Sequence, residues 1–326
     1  MEFIQSFTDA EIVLARIEHN GSAIGYFTGL MFRRFGVPIL GSPFPGWTTP
    51  FMGFNLLPRF PRVSMLEPLE RWAFGELGCL HLEVRDRHLL AEDATGWSVS
   101  PTSYAGYLSD LSASEDQIFS RMASSCRRAI RKGQKNGLIA EAALPDGFGE
   151  EYYEQVADVF ARQGLRPTYS LDRVQKLINY VHPSGDLLLA RVREPGGRTI
   201  AAGIYPGFGG LSYYWGSGSL GRYQSLRPNE LLHWFALRYW KSRGVREHEW
   251  GGGGAYKAKY GPAPFNAPFF CKSRHKVIQY ARNAAERAYY FPREFRRRLY
   301  RSEVLSRLVD KLVAYPVGFE ALLGVC

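Results

Sequence analysis

Two stretches far apart in the sequence follow one plan. "EIVLARIEHNGSAIGYFTG" at 11–29 reads as a strand, a turn at Asn20-Gly21 and a second strand. Asn-Gly between β-rich runs is a strong hairpin signal, because both residues tolerate the left-handed backbone a tight turn needs. "LLLARVREPGGRTIAAGIYPG" at 187–207 repeats the pattern of strand, glycine-containing turn and strand. Each passes through Leu-Ala-Arg into a β-branched residue, Ile17 or Val192. The first is followed by a helix-like segment, "SMLEPLERWAFGEL", and a strand, "CLHLEVRD"; the second by "RPNELLHWFALRYWKSRG" and "VREHEW". The matching order weighs more than the three shared letters. It predicts an α/β chain of two related units with mixed sheets.

The totals accommodate this. A chain of 326 residues holds one large domain or two medium ones, and 45% apolar residues supply a substantial core. The net charge of +10 favours an anionic partner: nucleic acid, a phosphorylated substrate or a lipid surface. Cys79, Cys126, Cys271 and Cys326 form no C-x-x-C pair, which fits a reducing compartment, and the histidines show no metal-ligand spacing. No metal is therefore expected. The first residues lack the charged and apolar regions of a signal peptide, and no apolar run reaches bilayer length. These features predict a soluble cytoplasmic protein.

"SASEDQIFSRMASSCRRAIRKGQKNG" at 112–137 joins the units. Ser114 and Gln117 have the form of a capping box, and Asn136-Gly137 is a helix stop. Ile118, Met122, Cys126 and Ile130 recur every four residues, which predicts one helix with an apolar stripe; Arg121, Arg127, Arg128, Arg131, Lys132 and Lys135 occupy its other faces. The helix after Arg227 carries Pro228 in its first turn and so many apolar residues that burial on most sides is expected. The expected organisation is a first unit at 1–112, the basic helix and second unit at 113–291, and an amphipathic helical tail at 292–326. The arginine-rich tail suggests docking to an anionic membrane surface or to RNA; a solvated helix covering the core explains it equally well.

"HEWGGGGAYKAKYG" at 248–261 places four glycines directly before two lysines. Such a loop lets backbone approach an anionic ligand closely while a compact cation meets its charge. Taken with the doubled α/β unit and the basic connecting helix, it resembles the FemAB-like and CelD-like branch of the GNAT acyltransferase superfamily. The resemblance covers roughly residues 10–290 and rests on three elements. These are the aromatic-Lys-x-x-aromatic-Gly-like run Tyr256, Lys257, Lys259, Tyr260 and Gly261, the helix "SSCRRAIRKGQKNG", and "YQSLRPNELL" leading into a helix. It implies two tandem GNAT-like units, with transfer of an acyl or aminoacyl group to an amine or hydroxyl of a cell-envelope or polysaccharide precursor. It also implies acyl-CoA as co-substrate, or aminoacyl-tRNA in its place, with no tightly bound cofactor. No R/Q-x-x-G-x-G/A run, the pyrophosphate signature of ordinary acetyl-CoA enzymes, occurs; "RPNELLHW" stands about where it is expected.

The resemblance assigns Lys257 to the leaving group or developing negative charge, and often places an acid where Glu249 stands. Tyr256, Lys259 and the glycines, Gly252 and Gly253 among them, then become donor-side candidates, with their backbone N–H groups turned to a phosphate or carbonyl. Arg127 and Arg128 present guanidinium forks that match phosphate oxygens, against the plainer reading of a solvated helix face. "LGSPFPGWTTPFMGFN" at 40–55 suits an acceptor cleft, which makes Trp47 and Tyr104 candidates there. From another class, a non-catalytic protein binding nucleic acid or a membrane surface would rest on the basic helices alone.

Overall fold

The computed structural model describes residues 1–285 except 35, 45–48, 94 and 253, and for 101–103 the backbone alone. Trp47, Gly253 and the 292–326 tail lie outside the described residues. The chain opens with α1 (Glu2–Gln5) and the hairpin of β1 (Glu11–His19) and β2 (Ser22–Arg34). Asn20 and Gly21 form its turn with φ of 51° and 73°, the left-handed pair the sequence predicts. β3 (Val37–Ser42), β4 (Gly53–Leu56), α2 (Leu66–Gly75), β5 (His81–Val84) and β6 (Ser98–Asp110) follow. After the connector come β7 (Ile139–Ala142), two helices, and the second hairpin of β8 (Leu187–Arg193) and β9 (Thr199–Phe208). β10 (Leu211–Tyr213), β11 (Gly216–Ser219), a long helix, β12 (Glu247–Glu249), a 3-10 turn at Ala255–Tyr260 and β13 (Ala263–Ser273) complete the described strands.

These strands join in one sheet of order β1-β2-β3-β5-β13-β6-β12-β10-β9-β8-β7, with β4 on β2 and β11 on β9. The last strand thus returns to the first unit, between β5 and β6. The helix at the second unit's crossover, Pro228–Ser242, connects β11 to β12, which pairs parallel to β10 and antiparallel to β6. The seam between the units is therefore hydrogen-bonded backbone.

Side-chain alternation explains why the second unit needs helices on both faces. Leu188, Ala190 and Val192 of β8 join one core with Cys126, Ile130, Leu231 and Trp240, while Leu187 and Leu189 join another with Phe148, Tyr152, Val174 and Ile178. The second of these faces is covered by Phe148–Ala161 and Leu171–Val181. A third core lies in the first unit around Phe27, Leu40, Leu69, Leu82 and Phe270. Each fully buried large apolar side chain contributes about 1.5–3 kcal/mol of transfer free energy.

The connector differs from the single helix expected. It is two helices, α3 (Glu115–Arg121) and α4 (Ser124–Lys135), broken at Met122, whose ψ of 148° is extended. The Ala123 N–H donates to the Lys259 carbonyl at 2.9 Å, so the 255–260 turn takes a hydrogen bond that a continuous helix would keep. Ile118, Met122, Cys126 and Ile130 are all buried nonetheless, and the capping box at Ser114 and Gln117 is formed. The stripe survives because the two helices lean on the same core. We number the later helices α5 (Phe148–Ala161), α6 (Leu171–Val181) and α7 (Pro228–Ser242). Among the described residues no helix is long and apolar enough to cross a membrane.

Candidate active site

Strand β12 is three residues long, and its alternation sends His248 and Glu249 to opposite faces. Both are fully buried. His248 Nδ1 lies 2.8 Å from Ser212 Oγ, among the rings of Tyr205 and Trp250. Burial, with Lys257 nearby, pushes this imidazole down to about 3, so it is neutral.

Glu249 is held differently. Its Oε1 accepts from the Tyr104 hydroxyl at 2.7 Å and from the Gly251 N–H at 3.0 Å, while Oε2 has no partner among the described residues. Burial pushes the carboxyl up to about 7, against those hydrogen bonds and the Lys257 charge, which pull it down. A half-satisfied buried carboxyl poised near neutrality has the properties of a general base.

The glycines after it turn the chain back on itself. Gly251 and Gly252 have φ of 69° and 74°, and a Cβ on Gly251 would meet the Tyr214 carbonyl oxygen at 2.4 Å. Only glycine takes this path without strain. The turn aims the carbonyls of Gly251 and Gly252 at Lys257 Nζ, which lies 2.5 and 3.1 Å from them. Lys257 is only 5% exposed, and its ammonium sits 5.1 Å from the centre of the Tyr214 ring and 5.7 Å from that of Tyr256. Burial lowers Lys257 to about 8, with the Glu249 charge opposing. The glycine N–H groups, expected to face a ligand, are used inside the loop: Gly251 donates to Glu249, Gly252 to the Tyr104 hydroxyl and Gly254 to the Gly252 carbonyl. The loop is therefore a scaffold for Glu249 and Lys257, and the ligand-facing N–H groups expected of these three glycines are not what it presents.

Tyr104 stands on β6, so the site spans the seam between units. Its ring is 6.0 Å from that of Phe265 on β13, which is 6.4 Å from Phe51 of the 40–55 segment. These rings form an aromatic cluster on the first-unit side of Tyr104.

On the other side of the 255–260 turn lies a second group. Lys259 pairs with Glu230 at 2.7 Å in a cleft of about 470 Å³ that Arg128, Lys132 and Arg227 also line. The cleft opens at the N-terminus of α7, where backbone N–H groups and the helix dipole favour an anion. Arg128 thus lines it. Arg127 does not: its guanidinium donates to the carbonyls of Ser120 and Met122, closing the C-terminal end of α3. Lys257 and Lys259, two apart on a tight turn, serve the two groups separately. Tyr214, Phe51, Phe265, Lys132 and Arg227 were not among the site residues expected from sequence; the run Tyr213-Tyr214-Trp215 is the signal that could have pointed to Tyr214.

The doubled α/β unit has a GNAT-like fold, and it carries a buried carboxyl and lysine after β12 and a basic cleft at a helix N-terminus. Residues 120–260 match the family model described as an acetyltransferase (GNAT) domain. In fold the chain is similar to FemX, at a TM-score of 0.72 and 11% identity over 84% of this chain and 91% of that one. It is also similar to the C-terminal domain of an Agrobacterium fabrum protein described as a lysylphosphatidylglycerol synthetase, at a TM-score of 0.54 and 10% identity over 87% and 91% of the two chains. A Bacteroides thetaiotaomicron protein described as conserved and of unknown function has a TM-score of 0.55 at 9% identity, over 83% and 88%. No curated protein sequence matches the chain.

Proposed function

We propose that the protein transfers an acyl or aminoacyl group from a phosphate-bearing donor, acyl-CoA first and aminoacyl-tRNA second, to an amine or hydroxyl of a cell-envelope or polysaccharide precursor. The observation that carries this reading is the Glu249 carboxyl: buried, raised to about 7 and, among the described residues, left with Oε2 unpartnered. In the transfer, Oε2 takes the proton of the acceptor N–H or O–H as that atom bonds to the donor carbonyl carbon. Collapse of the tetrahedral intermediate re-forms the carbonyl and expels the donor's sulfur or oxygen. Lys257 has three N–H donors; two hold the Gly251 and Gly252 carbonyls, and the third is available to the developing negative charge. The donor phosphates fit the cleft of Arg128, Lys132, Arg227 and Lys259.

The aminoacyl alternative draws support from the resemblance to FemX and to the described lysylphosphatidylglycerol synthetase. Calorimetric titration with acetyl-CoA, then with aminoacyl-tRNA, tests both donors. Saturable binding of one of them that weakens in Arg128→Ala supports the reading and identifies the donor. Binding of neither, with Lys257→Met indistinguishable from wild type in every assay, would return the protein to the class of non-catalytic surface binders.

A further inference from the structure

Away from the transfer site, β5, β13 and the helical segment at 276–285 enclose a cluster that the proposed reaction does not use. β5 and β13 run antiparallel with Cys271 opposite Glu83 and Ser273 opposite His81. Residues two apart on a strand share a face, so all four side chains lie together. The other face of the same strands carries Leu82, Val84 and Phe270 into the first unit's core. His81, Glu83 and Cys271 are all buried, and one ligand atom from each lies within 4.8 Å of the other two.

The surrounding hydrogen bonds set the imidazole's orientation. Ser273 Oγ donates to Gln279 Oε1 at 3.0 Å, which leaves its lone pair to accept from His81 Nδ1–H at 2.7 Å. With that proton on Nδ1, the Nε2 lone pair faces Glu83 Oε1 at 3.2 Å. Two acceptors so close call for a cation between or beside them; Arg282 supplies one from the side of Glu83, and a metal ion would bridge the two atoms directly.

We infer that His81, Glu83 and Cys271 form a site for a divalent transition-metal ion, and that the nitrogen, oxygen and sulfur set suits Zn2+ best. Zinc takes all three ligand types, and a histidine ligand commonly gives its other N–H to an outer partner, here Ser273. Binding uses the His81 Nε2 lone pair, the Glu83 carboxylate and the Cys271 thiolate, whose proton leaves to solvent. A fourth position remains for water. Arg282 Nε lies 3.2 Å from the same Glu83 oxygen, so the guanidinium competes with the ion for that carboxylate. The site's consequence is structural: it ties the returning strand β13 to β5. Sequence alone hid it, because His-x-Glu on one strand has no zinc-motif spacing and the sulfur arrives far along the chain.

The test is titration of the full chain, stripped by chelation, with Co2+ as the spectroscopic probe. A near-ultraviolet thiolate-to-cobalt charge-transfer band should saturate at one ion per chain and be bleached by Zn2+, with release of about one proton. Cys271→Ser should abolish the band. Glu83→Gln, which leaves every thiol in place, should weaken Co2+ binding about ten-fold or more, and Arg282→Gln should tighten it, each variant first checked for native circular dichroism. Absence of the band in the wild-type chain, or its survival in folded Cys271→Ser, would overturn the inference and leave the cluster as a histidine–carboxylate–guanidinium network.

Discussion

Glu249 and Lys257 flank one glycine loop, both buried, and burial moves them toward each other on the pH scale, to about 7 and about 8. A general base must be ionised and a charge-stabilising ammonium protonated. The rate should therefore rise with pH through about 7 and fall above about 8, a narrow bell in kcat/KM. Glu249→Gln should remove the rising limb and cost roughly 10²–10⁴-fold in rate, whereas Lys257→Met should remove the falling limb; pH–rate profiles of the three proteins check this. The same carboxyl makes a stability prediction of definite sign. Its folded value lies above the ordinary 4.5, so the folded chain holds a proton there that the unfolded chain has lost, and this contribution is fully present below 4.5 and lost as pH rises through about 7. Glu249→Gln should thus be more stable than wild type at about pH 8, by on the order of 3 kcal/mol before the altered hydrogen bonds are counted, and by no more than about 1 kcal/mol at about pH 5. Urea unfolding at the two pH values reads the difference; an equal effect at both would mean that the carboxyl is not shifted.

Among the elements, those with local signals were legible: the Asn20-Gly21 hairpin, α7 behind Pro228, the capping box at Ser114 and the buried stripe of α3 and α4. The break between α3 and α4 was not, because its cause is the carbonyl of Lys259, which no window around Ala123 contains. That break fixes what Arg127 does. Holding the carbonyls of Ser120 and Met122, it should act on stability: Arg127→Ala is expected to lose about 1–3 kcal/mol with donor affinity unchanged, while Arg128→Ala loses affinity with little change in stability. Thermal unfolding and calorimetry on the pair separate the roles. The glycine loop depends on conformation in the same way. Gly251→Ala must place a Cβ against the Tyr214 carbonyl at a left-handed φ, so it should cost about 1–3 kcal/mol and lower turnover together by displacing the Gly251 N–H from Glu249. Normal activity in a folded Gly251→Ala protein would show that the loop need not keep this shape.

At the scale of the molecule, the two units are not independent beads. Tyr104 reaches Glu249 from 145 residues away, which is why the sequence offered both residues as candidates yet gave no reason to join them. The strand that makes the junction, β13, was hidden by Pro264 and Pro268, which argue against a strand in an isolated reading. The chain accommodates Pro268 at a register shift between Ala267 and Phe269, and the ladder with β6 resumes beyond it. Removing β13 would leave β5 and β6 with unpaired edges and would strip Phe270 from the first unit's core. Exposed edges of this kind template aggregation. A fragment ending near residue 112, the boundary the sequence suggests, should therefore be insoluble or unfolded, although it contains every other strand of its unit. Co-expression with a separate segment spanning 262–285 should restore a soluble complex, since that segment supplies the missing strand and the helix beside it. Circular dichroism and size-exclusion chromatography of the fragment with and without the segment decide the point. A fragment that is monomeric and unfolds cooperatively by itself would show that the first unit closes without β13, and that the shared sheet is a consequence of assembly and not its cause.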